Sequence, residues 1–320
     1  MPVLCRTGPL LLVIVAALML GACVPVRAPD AGGETPVPAA RQAGDAAPVS
    51  WAQLTGRPAP PAGIRVSYGP HPLQFGELRL PQGEGRHPLA VVIHGGCWRA
   101  EYDLEHIAHL ADGLAQAGVA TWTIEYRRVG DPGGGWPGTF ADVIRAVEHV
   151  PALARIYRLD PQRVALVGHS AGAHLALWLA GRHNLPDGHA LRASRPLPVR
   201  GVVSLAGITD LASYGDGERG CNAAVALLLG GSAAELPDRY AAASPASLLP
   251  LRVPQHLLHG DADPIVPLAQ SEAFAADSAA RGDQARVEVV RDAGHFDLVA
   301  PFSPAWPRVE AAVRSLLSVN

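Results

Sequence analysis

The sequence predicts an α/β fold, a mostly parallel central sheet flanked by helices. Three observations carry that prediction. From Arg65 onward short apolar runs alternate with helical patterns, the signature of strands joined by helical crossovers. The run Leu89 to Ile93 is continuously apolar, as a strand buried on both faces must be. Finally, Val164 to Val167 passes through Gly168-His169-Ser170-Ala171-Gly172 into an Ala, Leu and Trp segment ending near Ala180, a strand turning sharply into a helix.

Composition narrows the classes. Of 320 residues, 48% are hydrophobic and 17% charged, and the net charge is -3, so neither disorder nor nucleic-acid binding is expected. All 26 basic residues are Arg, which excludes Schiff-base chemistry and Lys-dependent phosphate loops. Arg6 precedes an uncharged run, Leu10 to Leu20, which ends in Gly21-Ala22-Cys23. This is the layout of an export signal and is too short to span a membrane. Leu20-Gly21-Ala22-Cys23 resembles a bacterial lipobox, which implies lipidation of Cys23, and by that resemblance Val24 points to outer-membrane sorting. The expected organisation is a lipoprotein-type signal peptide over residues 1–22, a flexible Ala, Pro and Gly tether over 23–50, and one catalytic domain over 51–320. The expected location is a bacterial membrane, on the periplasmic side or at the outer membrane, with the protein anchored by its N-terminal lipid; the alternative is a soluble periplasmic or secreted protein.

The elements follow in order. Trp51 and Leu54 start an N-terminal wrap. Ile64 to Tyr68 and Leu73 to Leu80 read as opening strands joined at Gly69-Pro70, with a bulge at Gly76-Glu77 where the apolar parity shifts. After Leu89 to Ile93, the residues Leu104, Ile107, Ala108, Ala111, Leu114 and Ala115 repeat at helical spacing, with Gly118 placed to cap. Val119 to Tyr126 is the next strand. Thr139-x-x-Asp142 resembles a capping box before a helix that faces inward through Phe140, Val143, Ile144, Val147 and Val150. The Gly133-Gly134-Gly135 run reads as a mobile loop. Val164 to Val167, Val199 to Leu205, His256 to His259 and Val287 to Val290 supply later strands. The segment from Gly207 to Pro250, with a Ser232-x-x-Glu235 box, is long enough for a small partial cap. Ser303-Pro304 opens the last helix, which buries Trp306, Val309, Val313 and Leu317.

Chemistry concentrates in four places. The glycines around Ser170 permit a tight turn that projects the hydroxyl above the sheet, as a nucleophile elbow requires. His94-Gly95-Gly96-Cys97-Trp98 follows a buried strand. The N–H groups of Gly95 or Gly96 and of Ala171 are the natural donors to an oxyanion. His259-Gly260-Asp261-Ala262-Asp263 supplies two carboxylates, and Gly294-His295-Phe296-Asp297 supplies a histidine after the last strand. The order Ser, Asp, His is that of α/β-hydrolases.

From about Trp51 to its end the chain resembles the α/β-hydrolase superfamily, in particular the esterase branch with kynurenine formamidase and ferulic-acid-esterase-like (BD-FAE) domains. The matching residues are His94 to Trp98, Gly168-His169-Ser170-Ala171-Gly172-Ala173-His174-Leu175, His259-Gly260 with Asp263, and Gly294 to Asp297. The resemblance implies Ser170, Asp263 and His295 as catalytic residues, with the acid on Asp263 rather than Asp261. Cys97 stands where the family has Tyr or Gly, which bears on pocket shape. Trp98 is expected to line the substrate pocket. His94, His169 and His174 are expected to buttress the site, and His106-x-x-His109 has no third ligand for a metal.

The reading that follows is a serine hydrolase of small carboxylic esters working through an acyl-enzyme, without metal or organic cofactor. The alternatives are an amidase or arylformamidase and, from another class, a non-catalytic binding module on the same fold. Export argues against a cytosolic formamidase role. With Cys23 lipidated in an oxidising compartment, Cys97 and Cys221 are the remaining candidate pair for a disulfide pinning the cap to the rim of the site.

Overall fold

The continuous apolar runs form the middle of the sheet. The computed structural model describes residues 47–192, 197–217 and 220–318; the proposed signal peptide, Cys23 and nearly all of the tether lie outside them. The described chain opens with helix α1 (Trp51–Thr55) and strands β1 (Ile64–Ser67) and β2 (Phe75–Arg79). Strand β3 (His87–Ile93), helix α2 (Ala108–Gln116) and strand β4 (Ala120–Ile124) follow, then α3 (Gly138–Glu148), α4 (Val150–Ile156), β5 (Leu159–His169) and α5 (Ala171–Gly181). After β6 (Val202–Leu205) come α6 (Leu211–Gly215), α7 (Asn222–Leu229) and α8 (Pro237–Ala243). The chain then closes with β7 (Gln255–Gly260), α9 (Ala269–Ala280), β8 (Ala285–Val290) and α10 (Trp306–Leu317).

The sheet order is β1-β2-β4-β3-β5-β6-β7-β8. β1 pairs antiparallel with β2, and β2 with β4; every other pair is parallel. Leu89 to Ile93 have no exposed surface, because β4 and β5 flank β3 and helices cover both faces. One face carries Leu54, Leu110, Leu114, Val309, Val313 and Leu317 from α1, α2 and α10. The other carries Phe140, Val143, Leu175 and Trp178 from α3 and α5 together with the α6–α8 insertion. Each fully buried side chain of this kind contributes about 1.5–3 kcal/mol. Helix α5 is apolar all round and buried all round, as such a composition demands.

Three expected local features take other forms. No bulge interrupts β2, whose register runs unbroken from Ser67↔Phe75 to Ile64↔Leu78. The parity shift arises because β2 is an inner strand covered on both faces, and the Trp122 indole occupies the space where Gly76 would carry a Cβ. Thr139 and Asp142 do not cap α3, whose N-cap is Pro137. Thr139 Oγ1 instead donates to the Arg127 carbonyl, and Asp142 takes the Arg127 guanidinium at 2.7 Å. The last helix begins at Trp306 rather than at Pro304, because Ser303 donates its hydroxyl to Asp297 at 2.8 Å and the chain turns before the helix starts.

The segment between β6 and β7 is the helical insertion α6–α8. Ser232 and Glu235 bond reciprocally there, as the sequence pattern suggested. A disulfide joins Cys97, after β3, to Cys221 at the start of α7, with a Cα–Cα distance of 5.1 Å and a sequence separation of 124. A cross-link over so long a loop restricts the unfolded chain strongly. Replacing both cysteines by Ser is expected to lower the unfolding free energy by about 2–4 kcal/mol. Urea titrations with and without reductant check this, and the reduced wild-type chain should converge on the variant.

Candidate active site

The parallel strand β5 ends at His169 and α5 begins at Ala171, leaving Ser170 to make the whole turn. It does so with φ 56° and ψ -120°, a left-handed backbone that costs a non-glycine residue about 1–3 kcal/mol. Packing holds it there. The Ser170 N–H donates to Leu205 O at 2.8 Å, and a Cβ on Gly172 would overlap the carbonyls of Ile93 and His94. The first turn of α5 therefore lies directly on the end of β3. The N–H of Ala171, first in that helix, has no intrahelical acceptor.

The loop after β3 reaches the same spot. A Cβ on Gly95 would lie 3.1 Å from Ser170 Cβ, so this glycine is what lets the loop touch the turn. Gly96, Cys97 and Trp98 follow with φ of 93°, 53° and 55°, a run of left-handed residues of the kind that collects at functional sites.

From the loop after the edge strand β8 comes His295. Its Nδ1 sits 2.7 Å from Asp263 Oδ2, and both groups are buried. The other Asp263 oxygen accepts from the N–H groups of Ile265 (2.8 Å) and Val266 (3.0 Å). Burial works to raise the Asp263 carboxyl, but the His295 hydrogen bond and charge, with those two N–H groups, outweigh it and hold the carboxyl below its ordinary value. Asp261 instead accepts from Asp292 N–H at 2.7 Å. His295 is fixed over the turn by the residue before Ser170: His169 Nε2 donates to the His295 carbonyl at 3.0 Å, and the two rings lie 4.5 Å apart. Among the described residues, no hydrogen bond links Ser170 Oγ directly to His295, whose Nδ1 faces Asp263.

Buried polar side chains support each loop. His94 sets Nδ1 against Gly95 O (2.8 Å) and Nε2 against Glu125 Oε1 (3.0 Å), and it stacks on Tyr126 at 4.3 Å. Glu125 also meets Arg128 at 3.2 Å. His174 accepts from Trp98 Nε1 at 3.2 Å and donates to Ala243 O at 2.9 Å, tying this loop to α8. Trp98, expected in the pocket wall, is instead fully buried in the core, because its left-handed backbone turns the indole inward onto His174. His106 is buried beneath Trp51 while His109 faces Phe302, so the two rings serve different neighbours.

Two supports had little sequence signal. Glu125 shows only as a lone carboxylate just past β4, between Ile124 and Tyr126. Asp297 closes the Gly294-His295-Phe296-Asp297 motif, and its Oδ2 accepts from both Gly294 N–H and Val49 N–H at 2.9 Å. That bond straps the N-terminal segment across the His295 loop.

This fold, with its elbow at the end of the fifth strand, defines an α/β-hydrolase. The BD-FAE family model matches residues 77–277, and the chain belongs to that family. It is similar to Esterase LipQ of Mycobacterium tuberculosis, 30% identical over 193 residues, or 60% of this chain and 45% of that one. It is also similar to the kynurenine formamidase of Meyerozyma guilliermondii, 33% identical over 149 residues, or 46% and 52% of the two chains. The chain thus spans about half the length of the curated relatives it matches. In three dimensions it resembles a truncated carbohydrate esterase from gut microbiota, with a TM-score of 0.70 and 23% identity over 82% of this chain and 98% of that one.

The supporting histidines have a consequence for stability. Burial pushes His106 down to about 3, with the neighbouring His94 acting the same way. Burial pushes His174 down to about 4, and burial together with His295 and His106 holds His169 well below the ordinary value. An unfolded histidine takes up its proton near about 6.5. Below that pH the unfolded chain binds more protons than the folded one, so stability falls as the pH drops from about 6.5 toward the folded values. At pH ~5, His106 and His174 are each expected to remove about 2 kcal/mol. The check is a urea midpoint that falls between pH ~7.5 and ~5; a midpoint constant over that range contradicts buried neutral rings.

Proposed function

We propose that the chain is a serine hydrolase of small carboxylic esters that works through an acyl-enzyme on Ser170. The observation that carries this reading is the Asp263–His295 pair, 2.7 Å apart and held over the Ser170 turn by the His169 hydrogen bond. In this reading His295 takes the Ser170 proton as the hydroxyl attacks the ester carbonyl. Asp263 fixes the imidazole with its free nitrogen toward the serine and stabilises the charged ring. The N–H groups of Ala171 and of Gly95 or Gly96 receive the developing oxyanion, an interaction whose loss typically lowers the rate about 10²–10³-fold. Collapse expels the alcohol with the proton from His295, and a water activated by the same ring then releases the acid.

The relatives' names support this class: LipQ is an esterase and another relative is a probable carboxylic ester hydrolase of Mycobacterium tuberculosis. The formamidase relative favours a second reading, hydrolysis of an aryl formamide by the same residues. A non-catalytic role leaves the strained Ser170 backbone without a reason. A fluorophosphonate probe should label the wild-type chain and not Ser170→Ala. Absence of labelling, or labelling that survives the substitution, overturns the proposal. Asp263→Asn should lower kcat for p-nitrophenyl acetate by about 10²–10⁴-fold with a smaller change in KM. Comparison with N-formylkynurenine decides between ester and amide.

We also propose that residues 1–22 direct export and that lipid on Cys23, followed by the 23–50 tether, holds the 51–320 catalytic domain at a membrane; the lipobox-like Leu20 to Cys23 supports this. Cys23→Ser should move the protein from the membrane to the soluble fraction, and unchanged partitioning counts against the anchor.

A further inference from the structure

We infer that Trp51, Tyr102 and Phe296 form a subsite that takes a planar ring on the leaving-group side of the substrate. This rests on the serine-hydrolase reading above. In that mechanism the C–O bond of the tetrahedral intermediate breaks as the departing oxygen takes its proton from His295. The alcohol portion must therefore lie along the His295 flank, while the carbonyl oxygen points to the loop after β3.

The three rings connect those two walls. Phe296 is the residue after His295, with ring centroids 5.2 Å apart. Tyr102 lies against Gly96 so closely that no side chain fits between them. Trp51 meets both, at 5.4 Å from Phe296 and 5.5 Å edge-on from Tyr102. An ester held at Ser170 between the Gly95-Gly96 loop and His295 has this aromatic bridge beside its alcohol.

Trp51 also combines an exposed ring with a braced backbone. It keeps 38% of its surface open, yet its helix is anchored on every side. The Ser50–Gln53 capping box fixes the start of α1, and Leu54 sits in the core. Val49 N–H is bonded to Asp297, and the buried His106 supports the indole from beneath at 5.5 Å. Such a ring gives contact area with little further loss of conformational freedom on binding. Its face pairs best with another planar ring at about 4.5–7 Å, whereas a short alkyl alcohol leaves most of it wet.

Benzyl acetate and ethyl acetate test the subsite. They share the acyl group and release alkoxides of similar basicity, so the ring is the main difference between them. Trp51→Ala should lower the benzyl-to-ethyl ratio of kcat/KM about three- to tenfold, chiefly through KM for the benzyl ester, and Trp51→Phe should keep it within about twofold of wild type. An unchanged ratio in Trp51→Ala, including an equal loss on both esters, overturns the subsite and leaves the esterase reading standing. Hydrolysis of neither ester by the wild-type chain overturns both.

Discussion

The site depends on how closely α5 approaches the end of β3. Gly172 places bare backbone against the carbonyls of Ile93 and His94, and that contact fixes where the Ser170 turn sits relative to the next loop. A single methyl group there would push the helix off the sheet and carry the serine away from Gly95. The same approach explains why residue 170 tolerates φ 56°: the helix, β6 through Leu205 O and the loop through Gly95 define its position from three directions. Strain of about 1–3 kcal/mol persists only where surrounding structure over-determines it.

Histidines do much of the bracing, each in a different role. His169 carries no exposed charge and uses one nitrogen to hold the His295 backbone. His94 relates the loop after β3 to Glu125 and Arg128, and His174 links Trp98 to the insertion. His174 shows why imidazole suits this work: one ring accepts from the Trp98 indole and donates to the Ala243 carbonyl, so it joins two segments without burying a charge. The low values of the deeply buried rings are the electrostatic counterpart of that choice.

What the sequence disclosed follows from the range of each interaction. Strands with both faces covered were legible because Leu89 to Ile93 and Val164 to Val167 contain no polar side chain. The elbow was legible because glycine at 168 answers a steric demand inside the turn itself, where a Cβ would meet the Gly172 carbonyl, whereas the demand on Gly172 comes from the end of β3. Asp142 and Ser303 misled because a residue suited to helix capping is equally suited to a distant donor or acceptor, and only the fold supplies Arg127 or Asp297 as the better partner. Trp98 misled for a related reason: an indole beside a reactive loop can face either way, and its left-handed backbone decides. The Val49–Asp297 bond spans 248 residues, and nothing in the local pattern of either segment announces it.

The long-range links have a common arrangement. The residues around Ser170 come from the ends of different parallel strands, and in such a sheet neighbouring ends have no covalent connection near the site. Left alone, the loops would move independently, and the acyl transfer proposed above needs donors and base fixed before substrate arrives. Each loop is instead tied to a separate element. The Cys97–Cys221 disulfide ties the loop after β3 to α7, and Trp98–His174 ties it to α5. His169 ties the elbow to His295, and Asp297 ties the His295 loop to the N-terminal segment. Because α5 continues directly from the elbow, these ties form a connected set. The Cys97–Cys221 disulfide and the Val49–Asp297 bond therefore belong to the framework that braces the candidate site.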